Sequence, residues 1–158
     1  MKQVETPHQS SRDGKVVKLV VIHGDAGKSD AGTVSWIKAK ESAVSYHYLV
    51  GRDGEVYQFV DEAQKSWHAG ISGWLDCTHS KSVNAASIGV AFANDSIESY
   101  KPVQYTAGAK LVADICQRHK IPAAMIVTHA QVSPGRKSDP WKTFDWAYFI
   151  DRVKQALE

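Results

Sequence analysis

Residues 16–24 read Val-Val-Lys-Leu-Val-Val-Ile-His-Gly. From Val16 to Ile22 the run is short, apolar and rich in β-branched side chains, the pattern of a buried strand. It ends at His23-Gly24, and a loop of small and polar residues follows from Asp25 to Gly32. An ionisable imidazole at the end of a buried strand sits where α/β folds place their chemistry.

Working outward, Thr33 to Lys40 reads as a helix with Val34 and Ile37 on its apolar face. Tyr46 to Val50 and Glu55 to Val60 read as a hairpin joined through Arg52-Asp53-Gly54, because Asp-Gly supplies the positive φ values of a tight turn. A loop-rich stretch runs from Asp61 to Ala86, and Ile88 to Ala93 is a further strand. Thr106 to His119 places Leu111, Val112, Ile115 and Cys116 on one helical face. Ala124 to Val127 is a strand, and Thr128 to Trp141, with its two prolines, is an irregular loop. The last helix runs from an N-cap at Asp145 to Leu157, with Trp146, Phe149, Ile150, Val153 and Leu157 as its stripe. This order predicts an α/β fold: one domain over residues 1–158, a mixed central β-sheet flanked by helices, and residues 1–15 as an N-terminal arm.

Composition narrows the function. With 158 residues, 43% hydrophobic and 23% charged, the chain has the make-up of an ordinary soluble domain. A net charge of +2 gives no basic stripe for nucleic acid. No apolar run reaches the length of a membrane span, so no membrane insertion is expected. Met1 to Lys15 is polar and lacks the apolar core of a secretory signal, so synthesis in the cytoplasm without a signal peptide is expected. Cys77 and Cys116 form no Cys-x-x-Cys pair and read as free thiols, with a disulfide between them left open.

Three residues have the chemistry of a metal site. His23 closes the first strand, His129 the last, and Asp139 lies in the loop after it, before Pro140. Two imidazoles and one carboxylate leave a fourth zinc position open for water, the composition of a catalytic site. Zinc can lower the pKa of that water to about 7 and polarise a carbonyl, both of which an unactivated amide needs. The chain contains no His-Glu-x-x-His helix, so a metalloprotease finds no support.

Six blocks in register resemble the peptidoglycan-recognition-protein-like N-acetylmuramoyl-L-alanine amidases. They are Thr6-Pro7-His8 with Arg12; Leu19 to His23; Ser45 to Val50 before Arg52-Asp53-Gly54; Trp67-His68-Ala69-Gly70; Ser87-Ile88-Gly89-Val90; and His129 through Pro134-Gly135-Arg136-Lys137-Ser138-Asp139-Pro140. The last block is the most specific and is similar to the anhydro-muropeptide branch of the family. The resemblance implies one zinc ion per chain, held by His23, His129 and Asp139. It implies Lys137 as a catalytic cation that stabilises the oxyanion. It implies Tyr46, by likeness to phage lysins, as a group that orients the zinc water or hydrogen-bonds the tetrahedral intermediate.

Strand alternation would then put Tyr46 and Tyr48 on one face and a structural His47 on the other. The anhydro-muropeptide branch carries a catalytic Glu two residues past the Gly of its Ser-Ile-Gly block; here Ala91 stands there. The expected mechanism is a zinc-activated water supported by Tyr46 and Lys137, with no carboxylate base. His68 is expected to line the peptide or sugar groove, and Arg136 to contact a substrate carboxylate. The expected partner is peptidoglycan or a muropeptide, met by a monomer. The role implied is a phage or prophage endolysin acting on the wall after release. Its alternatives are a cytoplasmic anhydro-muropeptide recycling amidase, a non-catalytic peptidoglycan-binding module, and a regulator that contacts another protein.

Overall fold

The computed structural model describes residues 1–74 and 80–158. Cys77, and with it the question of a Cys77–Cys116 disulfide, lies outside the described residues; Cys116 is buried. In chain order the elements are β1 (Lys2–Gln3), β2 (Gln9–Ser11), β3 (Leu19–Gly24), α1 (Asp30–Lys38), β4 (Tyr48–Val50), β5 (Val56–Gln58), β6 (Gln64–Ser66), α2 (Ser80–Ala85), β7 (Ser87–Phe92), α3 (Pro102–His119), a 3-10 turn (Ala123–Met125), β8 (Ile126–Thr128), α4 (His129–Val132) and α5 (Trp146–Leu157).

Six strands form a mixed sheet in the order β1-β5-β4-β7-β3-β8. The β4/β5 hairpin is the antiparallel pair, and all other neighbours are parallel. The central strands β3 and β7 are buried along their whole length, which is why both read as unbroken apolar runs rather than as alternation. Along β3, alternation sends Val20 and Ile22 to one face and Leu19, Val21 and His23 to the other. The first face packs on α3 and on Phe149 and Val153 of α5. Full burial of each of those two side chains stabilises the fold by roughly 1.5–3 kcal/mol. The second face meets Val83 of α2 and Val132 of α4, and further along the sheet Ile37 of α1. His23 therefore belongs to the α1, α2 and α4 side.

Several boundaries differ from the sequence reading, each for a local reason. The first strand begins at Leu19, not Val16, whose side chain is 70% exposed. Helix α1 starts at Asp30 because Ser29 caps it, its side chain accepting from the Gly32 amide. Helix α3 starts at Pro102 rather than Thr106; proline suits the first helical position, where no amide is needed. The 3-10 turn displaces the expected 124–127 strand to Ile126–Thr128. The loop expected from Thr128 opens with α4, capped by Thr128 onto the Gln131 amide. The Asp145 cap of α5 stands as read, accepting from the Tyr148 amide.

The first fifteen residues are tied down at several points. β1 extends the sheet edge beside β5, and β2 pairs with β6 in a small antiparallel sheet. Thr6 Oγ1 donates to the Ile37 carbonyl at 2.8 Å, and His8 Nε2 to the Ala39 carbonyl at 2.8 Å, so both hold the end of α1. Arg12 is buried and donates to the carbonyls of Glu62, Asn84, Ala85 and Ser87. No helix among the described residues is long and apolar enough to cross a membrane.

Candidate metal centre and cleft

β3 presents His23 one residue before its end, and α4 presents His129 as its first residue. The chain then returns so that the Asp139 carbonyl accepts from the Ala130 amide at 3.1 Å. Asp139 Oδ2 accepts from the Gly24 amide at 3.2 Å, which ties the loop to the end of β3. These links bring His23 Nδ1 and His129 Nδ1 to 3.0 Å from each other. Asp139 Oδ1 lies 3.0 Å from His129 Nδ1, and Oδ2 lies 3.4 Å from His23 Nδ1. All three side chains are buried, and their ligand atoms lie within 4.8 Å of one another.

Hydrogen bonding decides what this cluster can hold. His129 Nε2 lies 3.1 Å from the Ala69 carbonyl, which can only accept. Nε2 therefore carries a proton, and Nδ1 is the ring atom turned toward His23 and Asp139. Burial, and then the neighbouring His129, lower the His23 imidazole to about 4 against the pull of Asp139, so it is neutral at pH 7. The Nδ1 atoms of two imidazoles and a carboxylate aimed at one point form an arrangement that a cation between them would satisfy. The donor set thus fits a divalent metal of zinc's ligand preference, with a fourth position open to the cleft.

That cleft has a volume of about 440 Å³ and is lined by His129, Asp139, Lys137, Tyr46, Trp67 and Trp141, among others. The Tyr46 ring centroid lies 5.2 Å from that of His23. Burial, then the charges of Asp139 and Asp25, raise the Tyr46 phenol above its ordinary value, so it stays protonated and can donate. Lys137 sits on an exposed turn whose amide donates to the Ser133 carbonyl at 3.0 Å.

The expected faces of the second strand need correcting. Tyr46 packs with Leu49, Phe59 and Ala91, whereas Tyr48 belongs to the core on the other side of the sheet. Tyr46 precedes the regular part of β4, so strand alternation does not govern it. His47 lies on the His23 side too, its ring centroid 6.2 Å from that of His68. Its Nδ1 accepts from the Gly89 amide at 3.0 Å and its Nε2 donates to the Gln64 carbonyl at 2.9 Å, so it is occupied in holding strands together.

His68 touches the cleft but is 4% exposed, and its ring is engaged inward, Nδ1 at 2.9 Å from His23 Nε2 and Nε2 at 2.9 Å from Ser87 Oγ. Arg136 also reaches the cleft, but Nε donates to the Ile71 carbonyl at 3.0 Å and Nη2 to the Ala69 carbonyl at 2.6 Å. Most of its fork is committed to the protein. Sequence reasoning passed over Asp25 and Trp141, both in the cleft wall. Asp25 accepts from Thr33 Oγ1 and from the Gly27 and Asn94 amides; its signal was its place directly after His23-Gly24.

The fold and the site together define an α/β protein with a buried His23, His129 and Asp139 group that could hold a metal ion, beside a surface cleft lined by His129 and Asp139. The family model for N-acetylmuramoyl-L-alanine amidase matches residues 13–142, and the chain belongs to that family. It is 31% identical over 160 residues to the N-acetylmuramoyl-L-alanine amidase AmiD of Escherichia coli strain K12, covering 91% of this chain and 56% of AmiD. The chain thus spans a little over half the length of that relative. A solved structure of AmiD from E. coli, in complex with the substrate anhydro-N-acetylmuramic acid-L-Ala-D-gamma-Glu-L-Lys, superposes with a TM-score of 0.77 at 30% identity, over 86% of this chain and 57% of that one. The 1,6-anhydro-N-acetylmuramyl-L-alanine amidase AmpD of Citrobacter freundii is 28% identical over 166 residues, 94% of this chain and 87% of AmpD. A mutant endolysin from Bacillus subtilis shares the fold, with a TM-score of 0.74 at 20% identity over 97% of this chain and 99% of that one.

Proposed function

We propose that this chain is a zinc-dependent N-acetylmuramoyl-L-alanine amidase that hydrolyses the amide between the lactyl group of N-acetylmuramic acid and L-alanine. The observation that carries the reading is the convergence of His23, His129 and Asp139, of which His129 and Asp139 line an open cleft. These three residues would hold one zinc ion. Zinc at that position supplies Lewis acidity toward a carbonyl and makes hydroxide available near neutral pH.

The remaining work falls to the chain's own groups. Tyr46, held protonated, donates a hydrogen bond toward the reacting centre. Lys137 supplies a positive charge to the oxyanion that grows on the scissile carbonyl as water adds, and charge placed for the transition state is often the largest catalytic contribution. No carboxylate base is invoked at position 91, because Ala91 stands there. Arg136 retains only Nη1 for a substrate carboxylate, and His68 meets the cleft at its edge. The substrate is peptidoglycan or a muropeptide, the working unit is a monomer, and neither nucleic acid nor a membrane takes part.

Two settings suit this activity. Tyr46 together with Ala91 is the pattern of a phage or prophage endolysin that reaches the wall after release. The aspartate ligand and the likeness to AmpD favour a cytoplasmic enzyme acting on soluble anhydro-muropeptides. The test is to incubate the protein, with zinc and after chelation, with intact sacculi and separately with anhydro-muropeptides, and to identify products by mass spectrometry. Zinc-dependent release of stem peptides beginning with L-alanine, with glycan strands intact, is the expected result. Release from sacculi marks a lysin, and release from the soluble substrate alone marks a recycling enzyme. A zinc-loaded protein that cleaves neither is a binding module, and the amidase reading fails.

A further inference from the structure

We infer that His68 is a positioning residue that fixes the proton of His23 on Nε2 and so keeps His23 Nδ1 free for the metal. The inference rests on the reading of His23 as a zinc ligand and adds a role for a side chain that does not itself touch the ion.

The argument runs along a chain of hydrogen bonds from its far end. The Ser87 hydroxyl contacts the Val83 carbonyl. A carbonyl has no proton, so Ser87 donates its only one there. Ser87 Oγ must then accept from His68 Nε2, 2.9 Å away. With its proton on Nε2, neutral His68 has a bare Nδ1, and that atom lies 2.9 Å from His23 Nε2. His23 therefore donates from Nε2, which leaves Nδ1 unprotonated, 3.0 Å from His129 Nδ1 and 3.4 Å from Asp139 Oδ2. Each step admits one direction, because a terminal carbonyl sets the sense of the whole relay. His129 likewise holds a proton on Nε2, set by the Ala69 carbonyl.

Packing supplies a second, independent observation. A Cβ on Gly89 would lie 2.6 Å from His68 Cγ, 2.8 Å from Cδ2 and 2.9 Å from Nδ1. Only glycine at this point of β7 lets the ring lie flat against the strand. The backbone is pinned as well: the His68 and Ala69 amides donate to Asn84 Oδ1 at 3.3 and 2.8 Å. A histidine that merely filled space would need neither a directed relay nor a strand cut back to admit it. Groups outside the metal shell that orient a ligand imidazole typically change metal affinity 10–100-fold when lost.

The experiment compares the full chain with His68→Phe, His68→Gln and Ser87→Ala. Zinc affinity is measured by competition with a chromophoric chelator, and the tautomer of His23 by long-range 1H–15N correlation in the metal-free proteins. Phenylalanine keeps a ring but cannot accept; glutamine can accept through Oε1. The expected result is zinc binding about 10–100-fold weaker in His68→Phe, with mixed His23 tautomers, and substantial recovery in His68→Gln. Ser87→Ala should weaken binding in the same direction, and it decides the matter if His68→Phe does not fold. Wild-type zinc affinity and a pure Nε2–H tautomer in folded His68→Phe, or in Ser87→Ala where that is the variant that folds, would overturn the inference. A wild-type chain that binds no zinc would instead overturn the underlying metal-site reading.

Discussion

Ala91 stands directly across the β3–β7 ladder from His23, and it is completely buried in a cluster with Ile37, Leu49 and Phe59. At this register a methyl group, not a carboxylate, stands beside His23. On the proposed amidase reading, the charge that develops in amide hydrolysis would be met by a cation and a neutral hydroxyl of the cleft wall, where Lys137 and Tyr46 stand. Replacing Lys137 with Met should lower kcat by about 10²–10³, the usual cost of losing one group that stabilises an oxyanion. Tyr46→Phe should lower it in the same direction, and zinc content should not change in either variant. Initial rates of stem-peptide release with parallel metal analysis check this. A Lys137→Met enzyme at wild-type rate would remove lysine from the mechanism.

Acid stability follows from His47. Burial is the main cause that lowers its imidazole to about 3 from an ordinary 6.5. A histidine depressed in the folded state takes up protons more readily when unfolded. Its contribution is therefore complete above pH 6.5 and is lost as pH falls from there toward 3. Denaturant midpoints of the metal-free protein at pH 7.5, 6, 5 and 4 should fall step by step. His47→Phe should be less stable at pH 7.5 but show a shallower decline; an equal slope in both would assign the acid lability to other groups.

What the sequence made legible follows the range of the interactions involved. β3, the Asp53-Gly54 hairpin and the Asp145-capped α5 are set by local pattern, and each was readable. Helix α4 was not, because the four residues of His129–Val132 are too short to show a period. Tyr48 and His47 were placed on the wrong faces because alternation was counted from Tyr46, which precedes the ladder. His23, His129 and Asp139 could be named because their residue types and motif announce them. Their shared point, and the inward commitment of His68 and Arg136, depend on contacts 45 to 115 residues apart, which no local pattern records.

The contact between α3 and the sheet offers a test far from the chemistry. A Cβ at Gly108 would lie 2.2 Å from Phe92 Cζ and 2.4 Å from Cε1. The Phe92 ring has little room to yield, with the rings of Phe144 and Phe149 at 5.2 and 5.5 Å. Gly108→Ala gains about 1 kcal/mol of helix propensity, but overpacking a rigid core costs about 1–3 kcal/mol. With two contacts this short the clash should win, leaving the variant less stable by up to about 2 kcal/mol. Zinc affinity should be unchanged. A denaturation curve that moved to higher stability would mean that helix and sheet can separate at little cost.

Arg136 distinguishes two roles that a loss of activity alone would confuse. The Ala69 carbonyl accepts from Arg136 Nη2 at 2.6 Å and from His129 Nε2 at 3.1 Å. The guanidinium thus steadies the acceptor that fixes the His129 proton. If that is its main work, Arg136→Ala should weaken zinc binding by up to about 10-fold, the low end for a group behind a ligand. Once zinc is saturating, KM should change little. If the spare Nη1 chiefly binds a substrate carboxylate, KM should rise while zinc affinity stays at the wild-type value. Arg136→Lys sharpens the contrast, since lysine keeps the charge but cannot reproduce the planar fork that reaches Ala69 and Ile71 together. The committed nitrogens favour the first outcome, and chelator competition alongside steady-state kinetics separates the two.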